Sequence, residues 1–304
     1  MSGVAGQENG TTGARRAAGA TGSGSVTRRI LLGSQLRRLR ESRGVTREAA
    51  GYAIRASESK ISRMELGRVS IKPRDVEDLL TLYGVTDESE REALVGLARE
   101  SNVAGWWHQY GSSLPSWFPT YVGLESAASE LHAYELQFVH GLLQTEEYAT
   151  AVVRAGHRRD LSPRDAERRV ALRMERKQRL LSEEGPRFVC VLDEAALCRP
   201  YGGDTVMAKQ LKHLIELSER PNITLHVMPF AHGGHSAESG AFSLLRFSEP
   251  ELSDVVYLEQ LTSALYVEKP EEVAEYAEAL ERLVEQSMSP ERTRDLLHRM
   301  SCAL

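Results

Sequence analysis

At 304 residues the chain has room for two domains, and 41% hydrophobic content is enough for a globular core. No stretch approaches the roughly 20 uninterrupted apolar residues of a membrane helix, and no apolar run follows a basic start at the N-terminus, so a soluble, cytoplasmic protein with no membrane attachment is expected. The formal net charge of −5 argues against a nucleic-acid binder only until the charges are placed along the chain.

Met1 to Ser25 is Gly, Ala, Ser and Thr with almost no bulky apolar residue, and a disordered tail is expected over residues 1–27. From Arg28 to Glu100 the pattern is helical. Leu32, Leu36 and Leu39 mark one apolar face, Val76, Leu79, Leu80 and Tyr83 another, and Glu90 to Arg99 a last helix. Breaks at Gly44, Pro73 and Gly84 predict a compact bundle of five helices over 28–100. A glycine- and proline-rich linker follows over 101–120 with all three tryptophans, Trp106, Trp107 and Trp117. They line an effector pocket or anchor the linker on the larger domain, and anchoring is the better reading.

Over 121–288 the pattern mixes types. Helices are predicted at Leu124 to Phe138, Thr145 to Gly156, Pro163 to Leu181, Met207 to Ser218 and Pro270 to Gln286. Strands are predicted at Arg187 to Leu192, Ile223 to Met228, Ala241 to Phe247 and Asp254 to Leu258. Residues 289–304 are expected to be a tail. The fold class is thus an all-α domain followed by a mixed α/β domain. Three cysteines, Cys190, Cys198 and Cys302, fit neither a disulfide framework nor a zinc knuckle and read as reduced thiols.

Between Arg28 and Lys72 twelve basic residues face four acids, a local charge of +8. Within it Thr46 to Arg68 reads as helix, sharp turn, helix. Thr46 and Ser57 are N-caps, Ala49, Ala50, Gly51 and Ala53 allow a close crossing, Ile61 and Met64 form an inner face, and Gly67 ends the second helix. The run Ser57-Glu58-Ser59-Lys60-Ile61-Ser62-Arg63-Met64-Glu65-Leu66-Gly67-Arg68 resembles the xenobiotic-response-element type of helix-turn-helix shared with phage repressors, over about Leu31 to Tyr83.

That resemblance implies binding to double-stranded DNA, with Ser57 to Leu66 as the recognition helix in the major groove. Glu58, Ser59 and Arg63 are then the outward positions, with Arg suited to guanine and Glu to a cytosine amino group. Arg47, Lys60, Ser62 and Arg68 would hold phosphates, and Ser57 opens the helix. Glu58 has a second reading, since a carboxylate in a first turn stabilises the helix dipole by about 0.5 kcal/mol without DNA. Arg40 and Glu65 match an internal salt bridge of that family. Two departures stand out: Arg47 replaces the usual Gln, and Arg55 replaces the usual turn glycine at a cost of about 1 kcal/mol.

Further on, Tyr121-Val122-Gly123-Leu124-Glu125, Gly141-Leu142-Leu143-Gln144-Thr145-Glu146-Glu147-Tyr148-Ala149, Leu192-Asp193-Glu194-Ala195-Ala196-Leu197 and Val255-Val256-Tyr257-Leu258-Glu259 resemble a domain of unknown function common in actinobacterial regulators. Such proteins are antitoxin-like, WhiJ-like regulators, often accompanied by a small protein encoded by an adjacent gene. The resemblance implies regulation and binding of such a partner and supplies no ligand; a small-molecule effector is the other expected input of the domain, and the way such modules read DNA implies a homodimer.

An enzyme is the competing class. His232, Gly233, Gly234 and His235, with Asp193 and Glu194, offer ligands for metal or acid–base chemistry, but two histidines alone do not make a metal site and Asp193 is equally a helix cap. Gly202-Gly203-Asp204 lacks the remainder of a P-loop and reads as a cap. No cofactor and no catalytic residue are expected; a DNA-tethered hydrolase is the weaker alternative.

Overall fold

The computed structural model describes residues 11–102, 105–156, 161–237, 239–249 and 252–304. The chain divides into two compact units, Met1–Gln109 and Tyr110–Leu304, and the division falls inside the tryptophan-bearing stretch.

The first unit is the expected bundle of five helices: α1 Thr11–Ser42, α2 Arg47–Ala53, α3 Glu58–Glu65, α4 Pro73–Leu82 and α5 Glu88–Ser101. Thr46 caps α2 by accepting from the Ala49 N–H, Ser57 caps α3 by accepting from the Lys60 N–H, and Asp87 caps α5. The apolar stripes read from the sequence converge on one core containing Leu32, Leu36, Ile61, Met64, Val76, Leu79, Leu80 and Tyr83, each 2% exposed or less. Of the stretch expected to be disordered, residues 1–10 lie outside the described residues, whereas from Thr11 the backbone continues α1. Extending a helix that α5 and α3 already hold needs no new nucleus, which explains why poor core composition does not end it.

The second unit is the α/β domain: α6 Phe118–Ala127, β1 Glu130–Glu135, α7 Glu146–Ala155, α8 Pro163–Leu180, β2 Arg187–Asp193, α9 Glu194–Cys198, α10 Asp204–Leu217, β3 Ile223–Met228, β4 Phe242–Arg246, β5 Val255–Glu259, β6 Ala264–Val267, α11 Pro270–Gln286 and α12 Pro290–Ala303. The six strands form one sheet in the order β3-β2-β1-β4-β5-β6. β1, β2 and β3 are parallel, and β4 runs antiparallel to β1 and β5, so β5 points the same way as β1. On one face Tyr134, Val191, Leu244 and Val256 pack under Val273, Leu280 and Leu283 of α11.

Three expectations are corrected here. The helix predicted over Leu124 to Phe138 is instead α6 followed by β1, because Glu130-Leu-His-Ala-Tyr-Glu has no strong strand propensity and is held extended by neighbours on both sides. Strand β6 was not foreseen. The tail expected over 289–304 is α12, capped by Ser289 and started by Pro290. Its Thr293 and Leu297 are fully buried. Thr293 Oγ1 accepts from the Val227 N–H at 3.1 Å and the Met288 N–H donates to the Val227 carbonyl at 2.9 Å, which closes the outer edge of β3.

Candidate nucleic-acid interface

The turn between α2 and α3 is held by the Gly51 carbonyl, which accepts from the Ala56 N–H at 2.8 Å. A β-carbon at Gly51 would lie 2.6 Å from the Ala56 carbonyl oxygen, so only glycine fits. Arg55 sits in this turn with φ 55°, the one non-glycine residue at positive φ among the described residues. The departure noted at Arg55 is thus met by left-handed backbone.

With Ile61 and Met64 turned into the core at 1% exposure each, α3 presents Ser57, Glu58, Ser59 and Arg63 to solvent. Arg63 Nε donates to the Ser59 carbonyl at 3.2 Å, which steadies the side chain along the exposed face. Lys60 is 39% exposed and stands 3.7 Å from Asp75 of α4. Ser62 and Arg68 are half-buried at the flanks. The face also carries a residue the sequence did not single out: Tyr52, near the end of α2, is 89% exposed, and Arg55, noted above for its turn, is exposed as well.

Glu65 ends α3 inside the domain. Arg40 Nε meets Glu65 Oε1 at 2.5 Å and Arg40 Nη2 meets Oε2 at 3.1 Å, the salt bridge that the resemblance implied. Arg47 joins it, its Nε donating to Glu65 Oε2 at 3.1 Å. One carboxylate therefore ties α1, α2 and α3 together, and Arg47 faces inward at one nitrogen while 35% of its side chain stays exposed. The hydrogen bond from Arg40 to Glu65 raises the guanidinium above its ordinary range, so this charge is fixed.

In the second unit the residues weighed for chemistry are brought together only in part. Asp193 ends β2 and caps α9 by accepting from the Ala195 N–H, while Gly203 caps α10. The Tyr134 hydroxyl donates to Asp193 Oδ2 at 3.2 Å and lies 3.0 Å from His235 Nε2. His235 Nδ1 accepts from the Ala237 N–H, which leaves Nε2 as the protonated nitrogen. Glu194 accepts from the Phe230 N–H, and His232 is exposed on its loop. Tyr134 is the member not weighed for chemistry from the sequence, since its strand β1 is extended only through pairing with β2 and β4. No group of three or more His, Cys, Asp or Glu suited to a metal occurs among the described residues, and none of their helices is long and apolar enough to cross a membrane. A cleft of about 480 Å³ opens between α7 and α8, lined by Thr150, Val153, Arg154, Pro163, Ala166 and Val170.

Comparison with known families gives two matches. A helix-turn-helix domain model matches residues 31–94, covering α3 and its supporting helices. A model of a domain of unknown function, DUF5753, matches residues 118–299, which is 182 of the 304 residues. No curated protein and no solved structure matches the chain.

Proposed function

The chain belongs to the DUF5753 family and carries a helix-turn-helix domain ahead of it, and on that premise we propose that it is a sequence-specific transcription regulator of the xenobiotic-response-element type. The observation that carries this reading is the exposed row Ser57, Glu58, Ser59 and Arg63 on α3, within a segment of charge +8. Arg63 and Glu58 read base edges, while Lys60, Arg68 and the free nitrogens of Arg47 meet phosphates. The protein acts as a homodimer whose two α3 helices lie about 34 Å apart on a pseudo-palindrome.

The C-terminal domain biases this binding, because any ligand that prefers one arrangement of the protein repopulates it. A small-molecule effector is the favoured input. The antitoxin-like reading, in which a small protein from an adjacent gene is the input, rests on resemblance, and co-purification with that protein supports it. The hydrolase reading has less behind it, since both ring nitrogens of His235 are engaged within the fold. Selection of bound duplexes from a random library tests the proposal. Enrichment of paired half-sites about 10 base pairs apart supports it, and no enrichment over input contradicts it.

A further inference from the structure

The cleft of about 480 Å³ between α7 and α8 has the size of a small-molecule site. Its walls follow from sequence spacing. Glu146, Thr150, Val153 and Arg154 recur on α7 at the i, i+4, i+7, i+8 spacing of one helical face, and Pro163, Glu167, Val170 and Ala171 repeat it on α8. Val153 and Val170 belong to a small buried cluster against which Leu161 and Ala166 pack, so the floor is apolar. Above that floor α8 offers Pro163, Ala166 and Ala171, side chains too short to fill the space between the helices.

The rim is polar, and its charges differ from the others on these two helices. Arg176 is held by Glu125 at 2.7 Å, Arg173 by Gln144 at 3.1 Å, Arg179 by Glu175 at 3.5 Å and Glu147 by Lys209 at 3.2 Å. Among the described residues, by contrast, the side chains of Glu146, Arg154 and Glu167 make no hydrogen bond and no ion pair. All three line the cleft and are exposed. Arg154 and Pro163 mark the end where α7 gives way to α8. At about 1.5 Å per residue, Glu167 stands roughly 6 Å from that end and Glu146 roughly 12 Å. The Thr150 hydroxyl donates to the Glu146 carbonyl at 2.8 Å, which leaves its oxygen free to accept. The cleft therefore combines an apolar floor, acceptors along its length and one cation at the joined end.

We propose that this cleft binds an amphipathic amine, an apolar body carrying one ammonium group, and that such a molecule is the small-molecule input of the regulator. The ammonium lies between Glu146 and Glu167 and donates to Thr150, while the apolar body covers Val153, Ala166 and Val170. Arg154 repels the ammonium and so orients the ligand, with its aliphatic stem covering the far end of the body. A carboxylic acid of the same length would face two unpaired carboxylates, and an alcohol would gain no charge interaction. Binding in the cleft stands by itself; its role as the effector site rests on the regulator reading above.

The test uses the full chain and three probes of equal length, octylamine, octanoate and 1-octanol, in calorimetry at pH 7 below any micelle formation. Octylamine should bind saturably and at least tenfold more tightly than the other two. The double variant Glu146→Gln/Glu167→Gln, altered only at exposed positions, should lose at least tenfold for octylamine and nothing for 1-octanol, whereas Arg154→Gln should bind octylamine as tightly as wild type or more so. Ala171→Trp, which fills the cleft from its exposed edge, should abolish binding with the circular dichroism unchanged. No octylamine binding, equal binding of amine, acid and alcohol, or an unchanged octylamine affinity in the double variant overturns the site. So does a dimer that dissociates in Ala171→Trp, which would make the cleft a contact between copies. Anisotropy with a selected duplex separates the two readings. A several-fold change in duplex affinity on adding octylamine supports the effector role, and octylamine binding without that change overturns it. A chain that binds octylamine but no duplex sinks the regulator reading and leaves the amine site standing.

Discussion

Glu65, the last residue of α3, is clasped by Arg40 of α1 through both of its carboxylate oxygens, at 2.5 and 3.1 Å, with both side chains under 10% exposed. The pair lies behind the exposed row of α3 and ties that helix to α1. Glu65→Gln leaves two guanidiniums, those of Arg40 and Arg47, short of their counter-charge, and breaking such a buried pair costs about 3–5 kcal/mol. Urea unfolding is expected to show that loss. Arg47→Gln leaves the Arg40 contacts in place and should cost about 1 kcal/mol or less.

Arg55 occupies left-handed backbone at φ 55° in the turn before α3. Glycine accepts that conformation without the clash a β-carbon meets, so Arg55→Gly should stabilise the domain by roughly 1 kcal/mol. A higher unfolding midpoint with unchanged denaturant slope checks it; a lower midpoint would show that the Arg55 side chain contributes more than its backbone strain costs.

Close approach matters as much as charge. A β-carbon at Gly33 in α1 would stand 2.5 Å from the carbonyl oxygens of Met64 and Glu65. Gly33→Ala must therefore move backbone, and about 1–3 kcal/mol of destabilisation is expected. Because the strain falls at the end of α3, DNA affinity should drop even where the domain stays folded.

The N-terminal module was largely legible because its signals are local. Caps at Thr46 and Ser57, the apolar stripe and the Ser-Lys-Ile-Ser-Arg run all lie within one short segment, and the structure places each as expected. Arg47 reads differently in three dimensions, since only the fold brings it to Glu65. In the C-terminal domain the long amphipathic helices and the β-branched strands were readable. β1 was not, because its Glu, Leu, His, Ala and Tyr carry helix-compatible propensity and its extended form is imposed by β2 and β4. The cleft between α7 and α8 was equally hidden, for its two walls face each other only once the helices pair. α12 could have been found: Ser289-Pro290-Glu291 is a helix start.

That helix gives a further expected outcome. Thr293→Val keeps the shape but leaves the Val227 N–H of β3 buried without a partner, at a cost of about 1–3 kcal/mol. Hydrogen exchange at Val227 should accelerate in this variant. Unchanged protection there would mean that α12 does not seal the sheet edge.

Glu135 links pH to stability. Burial holds its folded value at about 8, above the ordinary 4.5, so the unfolded chain loses its proton first as pH rises. The stability present below 4.5 is then lost progressively up to about pH 8, by a few kcal/mol at most. Glu135→Gln cannot ionise, so its stability advantage over wild type should grow from pH 5 to pH 8 and level off above. A constant difference across that range would contradict a raised Glu135.

The central claim is that the exposed face of α3 binds DNA. Fluorescence anisotropy with a selected duplex, titrated at several salt concentrations for wild type, Lys60→Ala and Arg63→Ala with helicity checked by circular dichroism, tests it most directly. Lys60→Ala should weaken binding to all sequences and lower the salt slope by about 1, while Arg63→Ala should cost about 1–3 kcal/mol on the selected duplex and relax its sequence preference. Unchanged affinity and unchanged salt slope in both folded variants would contradict it.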